Sequence, residues 1–302
     1  MAIYKYKPDV YHDVLGQFDP VLRISDGDTV ITSTVDNAGH DLTDTKVANG
    51  INPQTGPFYI EEAEPGDVLS VYFDMMKPNR KIGRASVTIA PNVLESGFTK
   101  GILSDRMLYE WEIDNDKGTA ILFNPEHERG KFVLPLSPML GCFGVAPMMN
   151  QGIASTTAST HGGNMDYKGF GAGVAIYFPV YIKGGLFFLG DGHAVQGDGE
   201  ITGMGIECSF DVQFTVKVIK GKCISTPRAE NNTYIMTVGN ARPLEQALQQ
   251  ATTEMFRWLK NDYKMTDEHI GILFGQCIQY DIGNVFDPAY TVVCKLRKEL
   301  FK

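Results

Sequence analysis

Short runs of apolar residues, each broken after a few positions by turn-forming residues, dominate the first ninety positions and predict strands rather than helices. VLRISDGDTVITSTVDNAG (21–39) holds two β-rich runs parted by SDGD, and GPFYIEEAEPGDVLSVYFDMMKP (56–78) two more parted by EPGD. RKIGRASVTIA (80–90) adds another strand, and WEIDNDKGTAILF (111–123) reads as a hairpin around DNDKG. FVLPLSPMLGCFGVAP (132–147) carries three prolines among large apolar residues, so an irregular buried linker and a sheet edge are expected there. Residues 174–189 hold two apolar strands separated by Lys183-Gly184-Gly185. In 201–219 the polar residues Glu207, Ser209, Asp211, Gln213 and Thr215 recur every second position, the signature of a strand with one polar face.

The period changes to helical in RPLEQALQQATTEMFRWLKND (242–262). Leu244, Leu248, Ala251, Met255, Trp258 and Leu259 form one face there, with Pro243 near the first turn. A second helix starts at Thr266, whose TDEH run offers a cap with acidic groups at the positive helix end, and TVVCKLRK closes the chain as a strand. The pattern is mainly β with a small helical contribution. A boundary near residue 130 divides it into a β-rich stretch, 1–130, and a β-rich stretch with helical additions, 131–302, and a functional site is expected to draw on both.

Composition narrows the function classes. The 302 residues are 43% hydrophobic, enough for a large core, and the net charge of −9 argues against a polyanionic partner such as nucleic acid. No apolar run approaches the ~20 residues of a membrane-spanning helix. The N-terminus lacks the features of a signal peptide. Cys142, Cys208, Cys223, Cys277 and Cys294 are scattered and form no CxxC pair, which is the usage expected of a reduced, cytoplasmic compartment.

The polar groups with chemical potential concentrate between His161 and Glu207. HGGNMD supplies His161, Asn164 and Asp166, and its paired glycines permit close backbone approach. GDGHAVQGDGE supplies Asp191, His193, Asp198 and Glu200, a crowding of carboxylates that invites either a metal or raised proton affinity; a solvated acidic turn is the structural alternative. Upstream, DNAGHD offers Asp36 and His40 from a loop, an oxygen and nitrogen pair suited to zinc or another divalent metal. Glu95 and Glu207 are further acids, each equally readable as a structural charge.

Taken in order, GPFYIEEAEPGDVL, PMLGCFGVAP, HGGNMD, YFPVYIKGGLFFLGDGHAVQGDGE and GMGIE resemble the acetamidase/formamidase family over most of residues 20–220. The resemblance implies a duplicated β-sandwich-like core with smaller α/β additions and a C-terminal helix. It implies a cytoplasmic, self-associating hydrolase, a homodimer or larger, that converts short amides such as formamide or acetamide to the acid and ammonia. It places the active region around Asp36, His40, Asp166, Asp191 and His193, with Glu95 and Glu207 as further candidates. The chain departs from the family pattern in STTASTHGG, which is rich in Ser and Thr where more Pro and Gly are expected, and in Gly185, where a small alanine is common.

These readings set definite expectations. Asp36, His40, Asp191 and His193 hold a divalent metal, zinc foremost, with manganese, iron or an additional calcium as alternatives. Glu95 first and Glu207 second shuttle the proton, Asn164 and Asp166 orient the substrate or the base, and N–H groups near Gly162 and Gly163 assist the oxyanion. Two competing accounts are a Cys142 nucleophile and a metal-stabilised, carbohydrate-binding β-sandwich without catalysis.

Overall fold

A computed structural model describes residues 1–98, 107–123 and 132–301. The boundary expected near residue 130 falls outside these residues. Strands from both sides of it interleave in each of the two large sheets, so the two stretches share their sheets.

The strands that carry the argument are β1 (Gln54–Ile60), β2 (Val68–Pro78), β3 (Met139–Gly144), β4 (Gly162–Asn164), β5 (Phe187–His193), β6 (Glu207–Cys208) and β7 (Phe210–Ile219). In a nine-stranded sheet, β7 and β2 pair antiparallel between Thr29–Ser33 on one side and Ala175–Pro179 on the other. The sheet continues to Tyr234–Ala241, Tyr290–Arg297 and Gln279–Asn284. In a twelve-stranded sheet the order runs from the edge strand Val133–Pro135 through the 108–123 hairpin and Ile82–Ser86 to β6, β5, β3 and β4, with β1 also paired to β5.

The runs read from the sequence are strands, except that 201–219 is not one strand: it divides into β6 and β7, which lie in different sheets, and Glu207 is buried on β6 rather than on the polar face of β7. The neighbours of the runs also differ from a chain of hairpins. The two runs of 21–39 lie in different sheets, as do β1 and β2, and as do Ala175–Pro179 and β5. Each such link crosses the layer, and the apolar faces meet in between. There Phe58, Phe73, Phe143, Phe178, Phe187 and Phe214 are fully buried and touch edge to face, Phe73 and Phe143 with ring centroids 5.1 Å apart. The alternation of β7 follows directly, with Phe210, Val212, Phe214, Val216 and Val218 turned inward.

The proline-rich stretch needs a correction. Only Val133–Pro135 is a sheet edge; Met139–Gly144 is a fully buried central strand between β4 and β5. Pro135 lies on the edge strand and Pro138 just before β3, where a missing N–H is tolerated, and Pro147 lies beyond the end of β3.

Helix α1 (Leu244–Asn261) begins directly after Pro243 and packs Ala247, Ala251, Met255, Trp258 and Leu259 on the strands Tyr234–Ala241 and Tyr290–Arg297. Leu248, expected on this face, is 40% exposed, and Ala247 takes the buried place. The helix sits close to the sheet at this point: a Cβ at Gly239 on the facing strand would lie 1.9 Å from the Ala247 carbonyl, so the approach requires glycine at 239. Helix α2 (Asp267–Cys277) is capped as its sequence implies, the Thr266 hydroxyl accepting the His269 N–H at 3.2 Å.

Candidate active site

Strand register gathers the chemistry. Across β5 and β6, His193 pairs with Glu207, and across β5 and β3, Met139 and Leu140 pair with His193 and Gly192. Directly opposite residues on antiparallel strands bring their side chains together regardless of separation in sequence. HGGNMD approaches from the other flank of β3, where Gly163 pairs with Phe143. The floor beneath this meeting is Gly141. A Cβ there would lie 2.2 Å from Asp166 Oδ1, 2.8 Å from Asp191 Oδ2 and 3.1 Å from His193 Cε1. The close approach of Asp166 to Asp191 therefore requires glycine at 141.

Six ionisable side chains close around this floor: Asp166, Asp191, His193, Glu200, Glu207 and Asp287. All but Asp287 are at most 6% exposed. Asp166, Asp191 and Glu200 have left-handed backbones, with φ of 43°, 61° and 44°. Non-glycine residues seldom adopt such angles, and strain of this kind concentrates at functional sites.

Amides orient the charges. His193 Nδ1 donates to Gln196 Oε1 at 2.8 Å, while Gln196 Nε2 is turned to the Asp166 carbonyl, so the Gln196 oxygen faces the ring. That leaves His193 Nε2 to face the acids, with Glu207 Oε1 at 3.0 Å, Asp191 Oδ1 at 3.4 Å and Glu200 Oε1 at 4.0 Å. None of these is in line for a hydrogen bond, and Nε2, Asp166 Oδ1 and Glu207 Oε2 are buried without a partner. Asn284 Nδ2 lies among Asp166 Oδ2 (2.8 Å), Glu200 Oε2 (2.8 Å) and Asp287 Oδ2 (3.0 Å).

The crowding is electrostatically costly. Burial, with repulsion from neighbouring carboxylates, lifts Asp166 well above the usual carboxylate range. Burial likewise raises Glu200 well above its ordinary value, against the attraction of His193. Glu207 is pushed by burial up to about 8, and Asp287 to about 6. Burial alone would lower the pKa of His193, yet the carboxylates of Glu207 and Asp191 raise it well above its ordinary value. One imidazole cannot neutralise five acids, and a cation is the simplest means of keeping such a cluster ionised.

The residues singled out from sequence divide clearly. Asn164, Asp166, Asp191, His193 and Glu207 come together. Asp36 and His40 do not join them. Asp36 Oδ2 pairs with Arg80 at 2.7 Å and its Oδ1 accepts the His40 backbone N–H at 2.8 Å, while Arg80 and Arg84 also hold Asp44. Guanidinium charge thus already answers Asp36, and His40, 3.3 Å from it through Nδ1, belongs to this neighbouring group. Glu95 is exposed after the turn Pro91–Val93 and belongs to none of the acidic groups found among the described residues. Asp198 is also at the surface, paired with Lys168, whereas Glu200 two residues on points inward. Cys142 is fully buried beside Leu15, Leu186 and Phe188, and burial together with Asp191 raises its thiol well above the ordinary range, an environment that disfavours a nucleophilic thiolate.

His161 stands apart from the acids. It is 1% exposed, neither ring nitrogen has a partner among the described residues, and burial lowers its pKa to about 4. Between pH 6.5 and about 4 the unfolded chain takes up this proton and the native one does not, so stability falls as pH falls through that window, by about 3 kcal/mol. His161→Gln is expected to flatten this acid limb in urea unfolding measured from pH 7 to pH 4. An unchanged slope would refute it.

Asn52, Gln196, Asn284 and Asp287 were missed. They lie in INPQTGP, AVQGDG and IGNVFDP, which read as ordinary turns; the Asn284 side chain does cap one, its Oδ1 accepting the N–H groups of Phe286 and Asp287. Nothing in the local pattern distinguishes an amide that lines a site from one that closes a turn.

Comparison with known proteins agrees with this architecture. An acetamidase structure from Yersinia enterocolitica is 34% identical, with a TM-score of 0.84, covering 99% of this chain and 93% of that one. A formamidase of Methylophilus methylotrophus is 44% identical over 71 residues, and an acetamidase of Mycolicibacterium smegmatis 40% identical over 73. These matches span 17% and 18% of the two curated relatives' lengths. The profile described as the Acetamidase/Formamidase family matches residues 136–301, which include β3 to β7, both helices and all six ionisable groups of the cluster. The chain therefore belongs to the acetamidase/formamidase family.

Proposed function

We propose that the protein hydrolyses short, uncharged aliphatic amides, formamide or acetamide, to the carboxylate and ammonia, with a divalent cation held in the acidic cluster. The observation that carries this reading is the gathering of Asp166, Asp191, Glu200 and Glu207 around His193, with its Nε2, Asp166 Oδ1 and Glu207 Oε2 all buried and unpartnered. A neutral imidazole nitrogen beside carboxylate oxygens is the donor set of zinc, manganese or iron, and the missing Cβ of Gly141 keeps the cradle open. His193 through Nε2, with Asp166, Asp191 and Glu200, would hold the ion. Such an ion supplies Lewis acidity toward a carbonyl oxygen and lowers the pKa of water.

The side chains supply the rest. Glu207 accepts the proton of the attacking water and delivers it to the departing nitrogen, so amide plus water becomes acid plus ammonia. Asn164 Nδ2, directed toward Asp287, is available to the carbonyl oxygen. The floor residues Asp166, His193 and Glu207 are at most 2% exposed, which favours a short amide over a substrate with a long acyl chain.

Chelator-treated protein is expected to release no ammonia from formamide, acetamide, propionamide or urea. It should regain release from the first two when zinc, manganese or iron is restored, and unfold at a lower temperature without the ion, because an ion bound only to the native state stabilises it. A metal-loaded protein that releases no ammonia from any short amide would overturn the reading.

A further inference from the structure

Strand β1 opens on two amides, Asn52 just before it and Gln54 at its first position, and neither takes part in the reaction as derived above. Asn52 is 4% exposed and has a left-handed backbone, φ 55°. Its Nδ2 faces three oxygens: the Ser155 carbonyl at 3.1 Å, Asn164 Oδ1 at 3.0 Å and Asp191 Oδ2 at 2.9 Å. A backbone carbonyl is an acceptor alone, so turning the amide over would set Asn52 Oδ1 against the Ser155 carbonyl. The orientation is therefore dictated chemically. Asn52 Oδ1 in turn accepts Gln54 Nε2 at 2.9 Å.

With Asn52 donating to Asn164 Oδ1, the amide of Asn164 cannot turn over either, and its Nδ2 is directed at Asp287 Oδ2. Donation runs one way, from Gln54 to Asn52 to Asn164 to Asp287, that is, from the buried wall to the one partly exposed acid of the cluster. The same Asn52 nitrogen holds Asp191 Oδ2, which leaves Asp191 Oδ1 for His193.

We propose that Asn52 is a positioning residue for amide hydrolysis: it fixes Asn164 with its N–H group toward the substrate's carbonyl oxygen and fixes which oxygen of Asp191 faces His193. This inference rests on the amide-hydrolase reading. Residues that orient groups in contact with a bound ion or substrate commonly matter nearly as much as those groups, with losses of about 10- to 100-fold on substitution.

The test uses Asn52→Gly, which the left-handed backbone accepts without strain, and Asn52→Asp, which keeps the shape but replaces the donor by an acceptor. Both are expected to lower kcat for acetamide or formamide by about 10- to 100-fold while the protein remains folded by circular dichroism. Because Asn52 acts in part through Asn164, the Asn52→Gly/Asn164→Ala double variant should lose clearly less than the product of the two single losses; a merely structural role makes the losses multiply. A second readout is independent of turnover. In 15N-asparagine-labelled protein the side-chain signals of Asn164, identified by their absence in Asn164→Ala, should exchange slowly with solvent in the wild type and rapidly in Asn52→Gly. Wild-type kcat in both Asn52 variants, multiplying losses, or unchanged Asn164 exchange would each overturn the proposal. Absence of ammonia release by the wild type would defeat the hydrolase reading, while the exchange measurement would still decide whether Asn52 orients Asn164.

Discussion

Glu207→Gln is expected to lower ammonia release from formamide or acetamide by about 10²- to 10⁴-fold, the range that a proton-transfer group contributes. Glutamine keeps the volume and one carbonyl oxygen beside His193, but it cannot accept the water's proton. The protein should therefore remain folded, and most of the bound ion should stay, because His193, Asp166, Asp191 and Glu200 are untouched. Turnover and metal content measured on one preparation separate the roles. Full turnover would remove Glu207 from proton transfer, and a joint loss of ion and turnover would make it a ligand instead.

Gly141→Ala should abolish turnover through geometry alone. The added Cβ would meet Asp166 Oδ1 at 2.2 Å and Asp191 Oδ2 at 2.8 Å, and neither carboxylate can simply swing aside. Asp166 Oδ2 is tied to Asn284 and Asp191 Oδ2 to Asn52. Overpacking of this kind costs about 1–3 kcal/mol, so the variant should also melt earlier and bind metal poorly. Gly271→Ala is the control. It lies in α2 with open space around it, and alanine there should leave turnover unchanged and add about 0.5–1 kcal/mol of stability. A Gly141→Ala protein with normal metal content and turnover would show that Asp166 and Asp191 do not need their close approach.

Much of the fold was legible along the chain. Both helices, the Thr266 cap, the 108–123 hairpin and the inward face of β7 follow from local periodicity, because amphipathic faces and turn residues act over a few positions. The same reasoning misplaced β3: three prolines read as irregularity, whereas a buried strand follows immediately after the last of those that precede it. The partners of each strand were not legible either. Runs adjacent in sequence, such as those of 21–39, look like hairpins, and they separate into two sheets because burying both apolar faces requires the chain to cross the layer.

The site divides along the same line. Sequence by itself determined which residues carry chemistry in HGGNMD and GDGH, since a histidine and acids among glycines and apolar strands stand out by type, and it determined the family through their order. Only the tertiary structure decided membership of the cluster. Strand register brought Glu207 opposite His193, left-handed backbone angles accompany the inward-facing Asp166, Asp191 and Glu200, and Arg80 claimed Asp36 for another group. It also brought in Asn52 and Asp287, 235 positions apart in sequence, as the two ends of a hydrogen-bonded path through Asn164. The physical reason is that charge and hydrogen-bonding capacity belong to the residue, whereas proximity, burial and orientation belong to contacts that no local pattern encodes.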